Sequence, residues 1–208
     1  MRLFHHDQPD AAPHFESCRR GQLSLCTAEV ALYGAARDVL PEIEGLVRQA
    51  DTSNAPGYTQ LFSDVLLLLL RREQSWKGVS LGSQPVDENG ASATFNRAVL
   101  DARSRVRHEE LSNTQGVLRS DIAPPAGAAL DMEDESGGLT VTCISVSDQA
   151  LKAPTVLSSE TFAAALRLLA SLPPQQLLAM ELVWMPHAGE PLISGDDLLR
   201  LFPNLQDV

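Results

Sequence analysis

Residues 139–146, Leu-Thr-Val-Thr-Cys-Ile-Ser-Val, constrain the fold of this chain more than any other stretch. Residues branched at Cβ lose rotamer freedom in a helix and pack well on a pleated surface, so the run reads as a strand. A strand leaves backbone donors and acceptors along both edges, and partner strands have to be found elsewhere in the chain. Residues 22–32 supply one, opening with Leu23 and Leu25 alternating with Gln22 and Ser24. Residues 76–86, closed by Asp87-Glu-Asn-Gly90, and the apolar run 177–185 supply two more.

Helical periodicity fills the intervals. Leu40, Ile43, Leu46 and Val47 form one stripe. Asp51-Thr-Ser-Asn54 with Pro56-Gly57 is turn and N-cap chemistry ahead of a second helix marked by Leu61, Phe62, Val65, Leu66 and Leu69. A third helix is expected over residues 91–111, with Phe95, Val99 and Val106. A fourth starts at Ser158 or Ser159, carries Phe162, Leu166 and Leu169, and is stopped by Pro173 and Pro174. Ser194-Gly-Asp-Asp197 resembles a capping box before Leu198, Leu199 and Leu201. The expected fold is α/β or α+β: a single domain with a mixed sheet of about four strands covered by about five helices. The long crossovers allow parallel or mixed pairing.

A chain of 208 residues with 44% hydrophobic and 21% charged residues is ordinary globular material, and with few aromatics its core must be mostly Leu, Val and Ala. Residues 1–21, with Pro9 and Pro13 and no periodicity, read as a flexible leader, and residues 22–208 as the domain. Residues 120–138 contain Pro124, Pro125, acids and closing glycines without an apolar period, and are expected to be a mobile loop. The net charge of -11 repels nucleic acid, which is excluded as an expected partner. The longest apolar run, residues 65–70, is far below the roughly 20 residues that cross a bilayer, so no transmembrane segment is expected. The first ten residues lack a secretory h-region. Cys18, Cys26 and Cys143 are odd in number and lack CxxC spacing, which speaks against a disulfide framework or a zinc site.

Several stretches carry possible chemistry. Gly78-Val-Ser-Leu-Gly82 matches the GxSxG nucleophile elbow, and the order Ser80, an acid between residues 131 and 135, then His187 mimics a triad. The residues after it, Ser83-Gln-Pro-Val-Asp87, read as extended instead of helical, so a serine hydrolase centred on Ser80 is kept only as the alternative. His5, His6, Asp7 and His14 are competent metal ligands, but a flexible leader does not hold them in place. His108 and His187 are isolated in sequence. Asp131-Met-Glu-Asp-Glu135 lacks the alternating ligands and central glycine of a calcium loop and reads as a solvated acidic run. Arg97, Arg103, Arg105 and Arg107 form a basic concentration on the third helix, a possible interaction patch for phosphate or lipid headgroups. Asp101, Glu109 and Glu110 interleave with it, and Asp101 with Arg105 is spaced as an i to i+4 pair. Trp76 and Trp184 sit in apolar strand context and read as core or rim residues. No catalytic residue, cofactor or metal site is expected.

Three stretches together resemble a known family. They are Asp51-Thr-Ser with the Leu-rich helix and Trp76; Phe95-Asn-Arg97 with Arg103-Ser104 and Leu111-Ser-Asn113; and residues 177–186, ending Val183-Trp184-Met185-Pro186, with Leu198 and Phe202-Pro-Asn-Leu205. From about residue 22 to the C-terminus the chain is similar to the cyanobacterial and plastid domain-of-unknown-function family fifteen-seventeen, to which a plant protein of fluctuating-light acclimation belongs. The resemblance implies a non-enzymatic regulatory or interaction protein of photosynthetic cells, at or near thylakoid or envelope membranes, in acclimation and photoprotection. It implies a chloroplast location (stroma, or thylakoid or envelope surface) or the cyanobacterial cytoplasm, and a thylakoid or envelope membrane protein as partner. It carries over no catalytic residue. Many relatives have a Gly-rich hydrophobic region ahead of this domain and this chain shows none, so it is expected to be a soluble paralogue or fragment, or to dock on a membrane-bound partner.

Overall fold

The computed structural model describes residues 12–105, 137–187, 190 and 192–208. In chain order the elements are β1 (His14–Ser17), β2 (Gln22–Tyr33), α1 (Ala36–Gln49), α2 (Ala55–Arg71), β3 (Trp76–Asp87), α3 (Ala91–Ser104), β4 (Gly138–Ser147), β5 (Gln149–Lys152), α4 (Ser159–Ala170), β6 (Leu177–Met185), α5 (Gly195–Leu201) and β7 (Gln206–Asp207). Local chemistry sets several of these boundaries. The Asn54 side chain accepts the Gly57 N–H at 2.8 Å, with Pro56 in the first turn of α2. Ser158 and Thr161 cap the first turn of α4 reciprocally. Ser194 accepts the Asp197 N–H at 3.2 Å to start α5.

Five strands form one sheet in the order β6-β4-β2-β3-β7, and β1 pairs with β5 in a separate two-stranded ribbon. Every pair is antiparallel, where the sequence allowed mixed pairing. The direction of each strand follows from the end of the sheet to which the preceding crossover brings the chain. Between β2 and β3 the chain makes two helices, α1 and α2, which return it to the end of the sheet it left, and Leu32 faces Trp76 across the pair. β4 runs in the same direction as β3, since each is antiparallel to β2. β4, however, pairs with β2, Gly138 opposite Tyr33, and that contact is antiparallel.

Order also begins earlier than residue 22. His14–Ser17 is a strand with Phe15 packed against the main core, so the expected leader overlaps a paired element. Helix α3 ends at Ser104, and the rest of its expected span falls in residues 106–136, which lie outside the described residues. So does the expected mobile loop, save residues 137 and 138; Gly138 opens β4.

Alternation along the central strands sends two cores to opposite faces. Cys26, Ala28, Val30 and Leu32 of β2, with Val141 and Cys143 of β4, pack beneath α1, α2 and α4, which contribute Ile43, Phe62, Leu66 and Phe162. Trp76 meets Phe162 edge to face at 5.2 Å between centroids. On the other face Leu25, Ile144 and Val146 pack against Phe95, Val99 and Ala102 of α3, while Ala31 packs against Leu198 and Phe202 in and after α5. No described helix is long and apolar enough to cross a membrane.

Cys26 and Cys143 lie on adjacent strands, opposite Ser145 and Ala28 respectively, and both are free thiols. Burial pushes each thiol from an ordinary value of 9.0 up to about 12. The folded value exceeds the unfolded one, so the stabilisation is complete below pH 9 and is lost as pH rises towards 12. Urea denaturation is expected to show stability falling above pH 9 by about 1.4 kcal/mol per pH unit for each thiol. Replacing either cysteine with Ala should make that fall shallower; an unchanged slope would contradict the assignment.

Candidate functional site

The fold divides the basic concentration on α3. Arg97 is exposed on the helix surface. Arg103 Nη2 lies 2.5 Å from Glu181 Oε1 of β6. Arg105, just past the helix end, turns inward: its Nη1 is 2.6 Å from Glu29 Oε1, and its guanidinium lies over the Phe202 ring at 5.1 Å. The i to i+4 partner expected for it, the Asp101 side chain, is not the one used; Arg105 Nε donates to the Asp101 carbonyl at 3.3 Å. Arg107 lies outside the described residues. Of the patch Arg97, Arg103, Arg105 and Arg107, two members are thus engaged by carboxylates of the sheet.

Glu29 explains that arrangement. It is 5% exposed, in the middle of β2 on the face that α3 and α5 cover. A buried carboxylate needs a counter-charge and hydrogen bonds, which Arg105 and the Thr142 hydroxyl at 3.4 Å provide. Sequence reading missed Glu29; the signal it offered was a single acid in the otherwise uncharged strand sequence QLSLCTAEVALY, with nothing to name its partner.

Ser80 lies mid-strand in β3, opposite Glu29, and the chain stays extended through Asp87. The strand-turn-helix context of a nucleophile elbow is not there. His187 follows β6, three strands away across the sheet, about 14 Å at ordinary strand spacing. Its backbone N–H donates to Glu190 at 2.8 Å, and its ring meets Trp184 at 5.7 Å. Trp76 is a core residue, with its indole N–H donating to the Leu69 carbonyl at 3.1 Å; Trp184 is half-buried. His14 is exposed on β1, 3.7 Å from Glu16. His5, His6, Asp7, His108 and the acidic run 131–135 lie outside the described residues. Among the described residues no three His, Cys, Asp or Glu side chains gather as metal ligands would.

A second feature escaped sequence reading because it uses residues assigned to the leader. A cleft of about 1010 Å³ runs between β3 and the β1/β5 ribbon, with Arg19 and Lys152 on its rim and Cys18 in its wall. Burial, then the nearby Asp148 carboxylate, raises the Cys18 thiol above its ordinary value.

A family model described as "Protein of unknown function (DUF1517)" matches residues 22–208. The chain belongs to this family. Two curated relatives extend the match. Over 189 residues the chain is 29% identical to Protein FLAP1 homolog A of Synechocystis, covering 89% of this chain and 57% of the relative. Over 187 residues it is 25% identical to the chloroplastic FLUCTUATING-LIGHT-ACCLIMATION protein 1 of Arabidopsis thaliana, covering 88% of this chain and 46% of that one. The chain thus spans about half the length of these relatives. No solved structure matches it. In this DUF1517 chain two stretches that carry the family resemblance meet in space, since Arg105, next to Arg103-Ser104, covers Phe202 of Phe202-Pro-Asn-Leu205.

Arg105→Met leaves the Glu29 carboxylate buried without its cation, and chemical denaturation is expected to show a loss of about 3 kcal/mol. The double variant Glu29→Gln with Arg105→Met should lose less than the two single losses added together, a coupling of about 1 to 2 kcal/mol. Arg97→Met, at an exposed position, should change stability by less than about 0.5 kcal/mol. Strict additivity of the pair would show that the contact contributes nothing.

Proposed function

We propose that this chain is a regulatory interaction module in the acclimation of photosynthesis, acting in a chloroplast or a cyanobacterial cell at or near thylakoid or envelope membranes. The observation that carries the reading is the family match over residues 22–208, together with the name of the Arabidopsis relative, which ties that protein to fluctuating light. A non-enzymatic role is favoured by how the chemistry-bearing side chains of the fold are used. Glu29, Arg105, Glu181 and Arg103 hold layers together, and Ser80 stands in a continuous strand.

Contact with the membrane itself is the weaker route. Anionic headgroups attract basic residues by about 1 kcal/mol each near the surface. With Arg103 and Arg105 paired to buried or half-buried acids and a chain charge of -11, the α3 patch supplies too little attraction, so a membrane protein is the better partner.

Cross-linking the tagged chain in an extract of photosynthetic cells, followed by mass spectrometry, is expected to recover a thylakoid or envelope membrane protein. The purified chain should remain in the supernatant with phosphatidylglycerol vesicles. Salt-sensitive sedimentation with the vesicles would transfer the reading from protein to lipid. Recovery of no photosynthetic membrane protein would overturn it, and so would fluorophosphonate labelling that Ser80→Ala abolishes.

A further inference from the structure

The two edges of the main sheet are treated differently. On β6 the Tyr58 hydroxyl donates to the Met180 carbonyl at 2.9 Å and also accepts the Met180 N–H, so a side chain closes that edge at its middle. On β3 the neighbouring position is filled by β7 only opposite Gly78 and Val79. Among the described residues, the outward backbone groups of β3 from Ser80 onward have no strand beside them. Ser80, Leu81, Gly82 and Ser83 all line the cleft in turn. Gln22, Leu23 and Ser24 of β2 line it as well, and Asn204 and Gln206 line it on the other side of β3, so the cleft spans the β2/β3 end of the sheet beside the ribbon and takes in the outer side of β3 next to β7. A side chain added at Gly82 would meet open space.

The rim adds a charge preference. Glu16, 3.6 Å from Lys152, is the acid lining the cleft, against Arg19 and Lys152, in a chain that is otherwise strongly acidic. Arg19 and Arg20 are exposed in the turn that Gly21 closes with a φ of 78°, and among the described residues Arg19 makes no ion pair. Asp87, at the far end of β3, does not line the cleft.

We propose that this cleft is a docking site for an extended acidic peptide segment of a partner protein, which adds as a strand along residues 80–83 of β3, in line with β7, and sets its carboxylates against Arg19 and Lys152. Main-chain hydrogen bonds supply affinity in such strand addition, and the charged rim supplies selectivity. Pro85 has no N–H and limits the paired length. The inference deepens the interaction-module reading and rests on it.

Fluorescence anisotropy with a labelled octapeptide of alternating valine and glutamate tests it on the full chain. Binding is expected, and it should weaken about tenfold or more in the double variant Arg19→Glu with Lys152→Glu while Arg97→Glu leaves it within about twofold. An octapeptide of alternating valine and lysine should bind at least about tenfold more weakly, and N-methylation of every second peptide bond should abolish binding. Thermal melts confirm that the variants fold, since all three substituted residues are exposed or half-exposed. No binding of the acidic peptide, equal binding of its lysine counterpart or of the N-methylated form, or insensitivity to the Arg19 and Lys152 reversal overturns the proposal. So does a dimer in sedimentation velocity that the peptide does not dissociate, which assigns the edge to a second copy. Vesicle sedimentation lost in the same double variant assigns the rim to lipid instead. Failure here, with a membrane protein still recovered by cross-linking, removes the cleft and leaves the interaction-module reading standing.

Discussion

Double burial of the β2/β4 pair is the constraint on which the rest of the structure depends. The two strands are in register from Ser24 with Ser147 to Tyr33 with Gly138, and all ten residues of β4 are buried. A strand buried on both faces needs a helical layer on each side, because its backbone is satisfied in the sheet but its side chains are not. α1, α2 and α4 form one layer, and α3 with α5 forms the other. The serines and threonines of β4 sit inside this sandwich without breaking it, small enough to pack and able to bond to neighbours.

The thinner layer is the one that carries charge. α3 and α5 bring small apolar clusters to the sheet, and between them Arg105 reaches Glu29 while covering Phe202. A buried ion pair contributes little net stability over a well-packed apolar substitute, but removing one partner is costly, so it specifies how the helices sit more than it strengthens the fold. The same geometry explains why two of the arginines that read as a surface patch in sequence are turned to the sheet instead. Arg103 and Arg105 point back at acids on β6 and β2, elements separated from them by long stretches of chain.

Much of the fold was legible before the structure. The helix of residues 55–71 was readable from Asn54 and Pro56 at its start and from Leu61, Phe62, Val65, Leu66 and Leu69 at its core face, because capping and periodicity are local. The four long strands were likewise placed to within a few residues. The short strands β1, β5 and β7 were missed, since four- and two-residue elements leave no period to detect and exist only through their partners. Missing β1 also hid the cleft, whose rim residues Arg19 and Lys152 are more than a hundred residues apart in the chain. The GxSxG match failed for the opposite reason. Its pattern is local, but its meaning depends on a sharp turn into a helix, and β3 continues straight through it.

The sequence by itself determined the long strands and the helices, which of their residues face a core and which family the chain resembles, because each of these rests on spacing along the chain or on motif order. Strand order, the uniformly antiparallel pairing and the pairing of Glu29 with Arg105 were decided only by the tertiary structure. So was the stretch of β3 that, among the described residues, has no strand along its outer side. These depend on which distant segments meet, and a free energy of contact between such segments is written in no single window of sequence.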